Sequence, residues 1–114
     1  MVGIYLAVFI KRKLSSRLKP KSIQICKVKL GTMGSTGNKG AVCLRFELDD
    51  QSFMIINCHL ISGRRQEEKR TGQIIQIFKE AFKNNLRNRG MGIENHDQVI
   101  ICGDLNFRIN AYTR

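Results

Sequence analysis

The sequence predicts an α/β fold: a mixed, largely antiparallel sheet with one amphipathic helix packed against it. Three observations lead there. Two stretches of alternating apolar and polar residues, 41–48 and 53–60, flank the turn Asp49-Asp50-Gln51-Ser52. Residues 66–89 then repeat apolar side chains at spacings of three and four. A short apolar run, 99–102, follows and leads into Gly103-Asp104.

Taken in order, residues 2–11 are rich in β-branched and aromatic side chains and apolar on both parities. That pattern suits a strand covered on both faces. Residues 12–20 read as a polar connector with one helical turn, stopped by Pro20. A strand is expected over 23–30, where Ile23, Ile25, Val28 and Leu30 are interleaved with Lys27 and Lys29. Residues 31–40 carry four glycines and read as a loop. In 41–48, Val42, Leu44, Phe46 and Leu48 share one face, with Arg45 and Glu47 on the other; with 53–60 this makes an antiparallel hairpin. The helical stripe is Ile74, Ile75, Ile77, Phe78, Ala81, Phe82 and Leu86. Glu67 and Glu68 at its start and Lys83, Arg87 and Arg89 at its end suit the helix dipole, and Gly90 is a natural stop. The chain opens within one expected strand and stops just past another, so both ends read as truncated, with a sheet edge left open.

Composition narrows the function classes. Apolar residues make up 42% and charged residues 25%, ordinary for one globular domain. The longest apolar run, 4–10, is too short to span a bilayer and lacks the flanks of a signal peptide. The net charge is +11, and no Asp or Glu precedes Glu47. Eight Lys and Arg lie between Lys11 and Lys29, a field that attracts phosphates on lipid, nucleic acid or small molecules, and that equally describes a merely solvated face. Cys26, Cys43, Cys58 and Cys102 sit in apolar strand-like segments without metal-ligand spacing and read as buried, reduced thiols of a cytosolic protein.

Three segments can carry chemistry, each at a strand end. In 34–40, GSTGNKG, glycines let backbone N–H groups approach an anion and Lys39 adds a charge; the same composition serves a plain turn. In 57–60, NCHL, His59 ends a strand where it can donate to a phosphate oxygen or serve structure alone. In 103–109, GDLNFRI, Asp104 and Asn106 share a face. A carboxylate there can hold an attacking water, and an amide can stabilise charge on a phosphoryl group.

In this order, GSTGNKGAV, NCHL and GDLNFRI resemble the inositol polyphosphate 5-phosphatase family, within the DNase I-like endonuclease/exonuclease/phosphatase superfamily. The resemblance runs from Val2 to Ile109 and implies that residues 1–114 are part of a catalytic domain, a DNase I-like four-layer α/β sandwich. It implies magnesium-dependent hydrolysis of the 5-phosphate of phosphoinositides or soluble inositol polyphosphates. His59 matches the His that binds the scissile phosphate, Asp104 the Asp that orients or deprotonates the water, and Asn106 the Asn that holds phosphate oxygens. Asn38 and Lys39 match the loop beside the site, and Arg108 an Arg near the phosphate whose role can be structural.

Phe107 stands for the family's usual Tyr, Cys58 for Ser, and Ile61-Ser62-Gly63 for Ala-Ala-Gly. The upstream metal-binding Glu and the later Asp-His pair have no counterpart, and His96 precedes GDLN and does not replace that His. Most Mg2+ ligands are therefore expected outside this chain, and the residues alone are expected to have little or no phosphatase activity. The implied partners are a phosphoinositide or inositol polyphosphate and an anionic membrane surface, in or at the edge of the cytoplasm, with no nucleic acid. Two other classes remain: a DNase I-like nuclease, and a non-catalytic basic module binding anionic membranes or nucleic acid through Lys11 to Lys29.

Overall fold

A computed structural model of the chain describes residues 3–31, 38–83 and 91–108. Four strands form one sheet in the order β1 (Gln24–Lys29), β2 (Gly40–Leu48), β3 (Gln51–His59) and β4 (Gln98–Asp104). The first three pair antiparallel; β3 and β4 run parallel, joined through helix α1 (Glu67–Glu80). This is the mixed sheet with one helix that the alternation and the helical stripe predict.

The β2–β3 hairpin turns at Asp49-Asp50, and Leu48 pairs with Gln51. Asp49 adopts φ 55°, a left-handed conformation that a short polar side chain tolerates. One face of the sheet packs under α1. Ala41, Cys43, Met54, Ile56, Cys58 and Leu60 meet Ile77, Ala81 and Phe82 there, with Val28 and Leu30 from the β1 side. Truncating one of the larger members, such as Met54, costs about 2–5 kcal/mol.

Several expectations change. Residues 3–10 form no strand, because no backbone ladder pairs with them among the described residues; Tyr5 O instead accepts from the Asn57 side-chain amide. They are not covered on both faces either. Ile4, Leu6, Val8 and Ile10 are half-buried, whereas Tyr5 and Phe9 are 82% and 93% exposed. Residues 12–20 hold a 3-10 turn, Arg12–Arg17; Pro20 does not stop it but opens a second, Pro20–Ser22, where its fixed φ fits a first turn.

Helix α1 ends at Glu80, short of the expected Arg89. Ala81 has ψ 119° and Phe82 has φ 60°, which turns both side chains into the core at 0% and 2% exposure. Burying an aromatic ring outweighs the cost of one left-handed residue, about 1–2 kcal/mol. Leu86, Gly90 and the glycine-rich residues 34–37 lie outside the described residues.

The faces of β2 also differ from their hydropathy. The face carrying Ala41, Cys43 and Arg45 lies under the helix, and Arg45 is only 5% exposed, while Val42 and Leu44 are half-buried. Among the described residues β1 and β4 are the outer strands, and on β4 Val99, Ile100 and Ile101 are exposed by 36%, 51% and 39%.

Candidate active site at one rim of the sheet

Strand register brings the chemical groups together. His59 ends β3 and lies opposite Asp104, the end of parallel β4, and opposite Gly40, the start of β2. Lys39 immediately precedes that start. The Leu60 N–H donates to Asp104 O at 3.0 Å and the Leu30 N–H to Lys39 O at 3.1 Å, so the ladder continues just beyond the assigned ends. Lys39, His59, Asp104 and Asn106 thus occupy one rim.

Lys39 Nζ lies 2.6 Å from His59 Nε2. At that distance one nitrogen supplies a hydrogen and the other a lone pair. Asp104 Oδ2 is 3.7 Å from the same Nε2, an ion-pair distance rather than a hydrogen bond. The His59 side chain is 31% exposed and that of Asp104 62%, so both face a ligand that approaches from solvent.

The loop after β4 closes on the carboxylate. The Asn106 N–H donates to Asp104 Oδ1 at 3.0 Å, and Asn106 Nδ2 donates to Leu60 O at 2.9 Å. Asn106 takes φ 54° to do so, a conformation Asn adopts more readily than other non-glycine residues. One amide hydrogen and Oδ1 are left over for a ligand.

Gly103 makes the close approach of β4 possible. It has φ 106°, and a Cβ there would sit 2.1 Å from Cys58 O and 2.4 Å from Asn57 Oδ1. Only glycine fits.

Asn38 is exposed and, with Lys39, Ser62, Lys69 and Gln73, lines a polar cleft of about 830 Å³ between the start of β2 and α1. Arg108 is exposed and has no hydrogen bond or ion pair among the described residues; the structure does not join it to the rim group. His96 lies elsewhere, accepting from Arg45 Nε at 3.1 Å.

Sequence reasoning missed Arg70. It is 0% exposed, donates through Nη1 to Gly63 O at 3.0 Å, and sits 5.2 Å over the Phe107 ring. It ties the segment after His59 to the segment after Asp104. Its Nη2 lies 3.2 Å from Glu67 Oε1, yet neither Nη2 nor Nε finds a hydrogen-bond acceptor among the described residues. The signal was its place on the apolar stripe itself, four and seven residues before Ile74 and Ile77, where a charged residue must find partners.

The sequence profile of Endonuclease/Exonuclease/phosphatase family 2 matches residues 1–114, the whole chain. The chain belongs to the inositol polyphosphate 5-phosphatase family. It is 36% identical over 123 residues to the "Probable inositol polyphosphate 5-phosphatase C9G1.10c" of Schizosaccharomyces pombe, covering 97% of this chain and 10% of that protein. To the type IV inositol polyphosphate 5-phosphatase 3 of Arabidopsis thaliana it is 33% identical over 115 residues, covering 97% of this chain and 17% of the relative. The chain therefore spans a small part of these family members.

Among solved structures, the inositol polyphosphate 5-phosphatase domain of SPsynaptojanin, in complex with inositol (1,4)-bisphosphate and calcium ion, superposes with a TM-score of 0.65 at 29% identity. The match covers 87% of this chain and 26% of that one. No described helix of this family member is long and apolar enough to cross a membrane.

A divalent metal is implied by the resemblance. Among the described residues no group of three or more His, Cys, Asp or Glu side chains can hold one, and the rim offers a single carboxylate, Asp104. Magnesium is usually bound through one or two carboxylates with substrate phosphates and water, so Asp104 would supply one such ligand there. No step below passes through a metal.

Proposed function

We propose that this rim handles the scissile phosphate in hydrolysis of the 5-phosphate of a phosphoinositide or a soluble inositol polyphosphate, within the larger sandwich that the family resemblance implies. The observation that carries the reading is the register of β3 and β4, which sets His59 beside Asp104 with Lys39 in contact. Asn38 and the polar cleft adjoin it, where further ring phosphates can be received.

In this reading the Lys39–His59 pair donates to non-bridging phosphate oxygens, where negative charge is concentrated. The spare Asn106 amide hydrogen adds a third donor. The exposed Asp104 carboxylate accepts a hydrogen bond from water and takes its proton as the oxygen attacks phosphorus. The new phosphorus–oxygen bond forms as the bond to the ring oxygen breaks, and that oxygen takes a proton from solvent as it leaves. Arg70 and Gly103 touch no substrate; they hold the two loops in register.

The test is phosphate release by the protein carrying these residues at its full natural length, offered an inositol polyphosphate or a phosphoinositide in magnesium. Asp104→Asn and His59→Ala should each lower kcat by roughly 10²–10⁴. Release from another ring position, or full activity in both variants, contradicts the reading. Cleavage of plasmid DNA instead would point to the nuclease class.

A further inference from the structure

Two cysteines that are seventeen positions apart in sequence face each other across the sheet. Cys26 of β1 lies directly opposite Cys43 of β2. The Leu30–Lys39 backbone bond marks a hydrogen-bonded pair, and such pairs recur every second residue of an antiparallel ladder; Cys26 and Cys43 fall in the same phase. Their Cα atoms are then about 5.5 Å apart, inside the range that a disulfide spans. The side chains share the helix-covered face, where Cys26 packs against the core that holds Cys43.

The two sulfurs are not equivalent. Cys43 is 0% exposed, in the middle of the sheet. Cys26 is half-buried on the outer strand β1, where a small solute can reach it. Hydrogen bonding from the Cys43 thiol, against the opposing pull of burial and with help from the Phe82 backbone, lowers the Cys26 thiol below its ordinary pKa and makes it the more acidic of the two; the same contact and burial push Cys43 far up. One sulfur is the better anion and the other keeps its proton, as an attacking and a resolving thiol do.

We propose that Cys26 and Cys43 form a peroxide-oxidisable dithiol site that closes into a cross-strand disulfide. The Cys26 thiolate attacks one oxygen of hydrogen peroxide; the O–O bond breaks, hydroxide leaves, and Cys26 becomes a sulfenic acid. Cys43 sulfur then attacks Cys26 sulfur. The S–S bond forms, the S–O bond breaks, and the departing hydroxide takes the Cys43 proton as water. Two thiols are oxidised and one peroxide is reduced to two waters. The bond staples β1 to β2, the strand whose start carries Asn38 and Lys39.

The remaining thiols are poorly placed for this exchange. Cys58 is 2% exposed and pushed up to about 11 by burial, and Cys102, although exposed, lies opposite Asn57.

The test treats the native chain with hydrogen peroxide, blocks residual thiols and digests with trypsin. The expected product is residues 22–27 joined to residues 40–45, lighter by two hydrogens and separated by dithiothreitol. Cys102→Ser should still form it. In Cys43→Ser, Cys26 should stop at a sulfenic acid that dimedone traps. Native chain in which Cys26 and Cys43 both stay reduced while Cys102 oxidises, or in which Cys26 is driven to sulfinic acid without the link, overturns the proposal.

Discussion

The two ends of the sheet handle charge in opposite ways. At the hairpin end, charges satisfy one another. Arg17 Nε donates to Asp49 Oδ2 at 2.8 Å, Arg45 Nη2 to Glu47 Oε1 at 2.9 Å, and the Ser52 N–H to Asp97 Oδ2 at 2.7 Å. At the other end, Lys39 meets His59 at 2.6 Å, but His59 and Asp104 stand 3.7 Å apart, and His59 and Asp104 stay part-exposed with valences turned outward. The same strands build both. The difference is that loops are tied down at the hairpin end, whereas the rim leaves groups free for a ligand. Four predictions probe that contrast, from the largest expected effect to the smallest.

Gly103→Ala should be the most damaging. Its Cβ would collide with the β3 backbone at 2.1 Å, and its φ of 106° is strained for any other residue. Strain and overpacking together should cost roughly 3–5 kcal/mol in urea unfolding. A cost under about 1 kcal/mol would mean that β4 does not approach β3 this closely.

Arg70→Met should come next, at roughly 2–4 kcal/mol, because Gly63 O loses its donor and Glu67 its cation. A stabilised Arg70→Met would show that the two orphan nitrogens outweigh the contacts made.

His96→Ala should cost about 1–3 kcal/mol by leaving buried Arg45 Nε without an acceptor. Phosphate binding at the rim should be unchanged. A loss of binding would join the two ends that the account keeps apart.

The smallest effect is in pH. Glu47 is held below the ordinary carboxylate range chiefly by its hydrogen bond from Arg45, Asp49 by that from Arg17, and Asp97 by the Ser52 backbone and hydroxyl. Lowered folded values mean stability that is present above the unfolded carboxylate range, about 4, and lost as pH falls through the folded values. The urea midpoint should therefore decline below about pH 4, less steeply in Asp49→Asn and least steeply with all three carboxylates replaced. A midpoint that rises on acidification would reverse the sign.

Much of this was legible in the residues. The β2–β3 hairpin shows because a period of two brackets Asp49-Asp50, and α1 shows because Ile74, Ile77 and Phe78 share a face. His59 and Asp104 are each visible as polar residues ending apolar strands. Their meeting is not, since it needs the parallel register of strands nearly forty residues apart.

Other features depend on partners that no local pattern reveals. Residues 3–10 have strand composition, but a strand is a relation to a neighbour. The end of α1 is set by where Phe82 finds room, not by helical propensity. Arg45 alternates as a solvent-facing residue and is buried because Glu47, Ser22 and His96 together satisfy it. The Cys26–Cys43 pairing follows from register alone.

The most direct test of the central claim is a titration of the chain with inorganic phosphate, followed by backbone amide NMR shifts. The account predicts saturable shifts confined to residues 38–40, 59–60 and 103–106, lost in Lys39→Ala and His59→Ala. Shifts spread over Lys11 to Lys29, surviving both substitutions, would contradict it and leave a basic surface in place of a phosphate site.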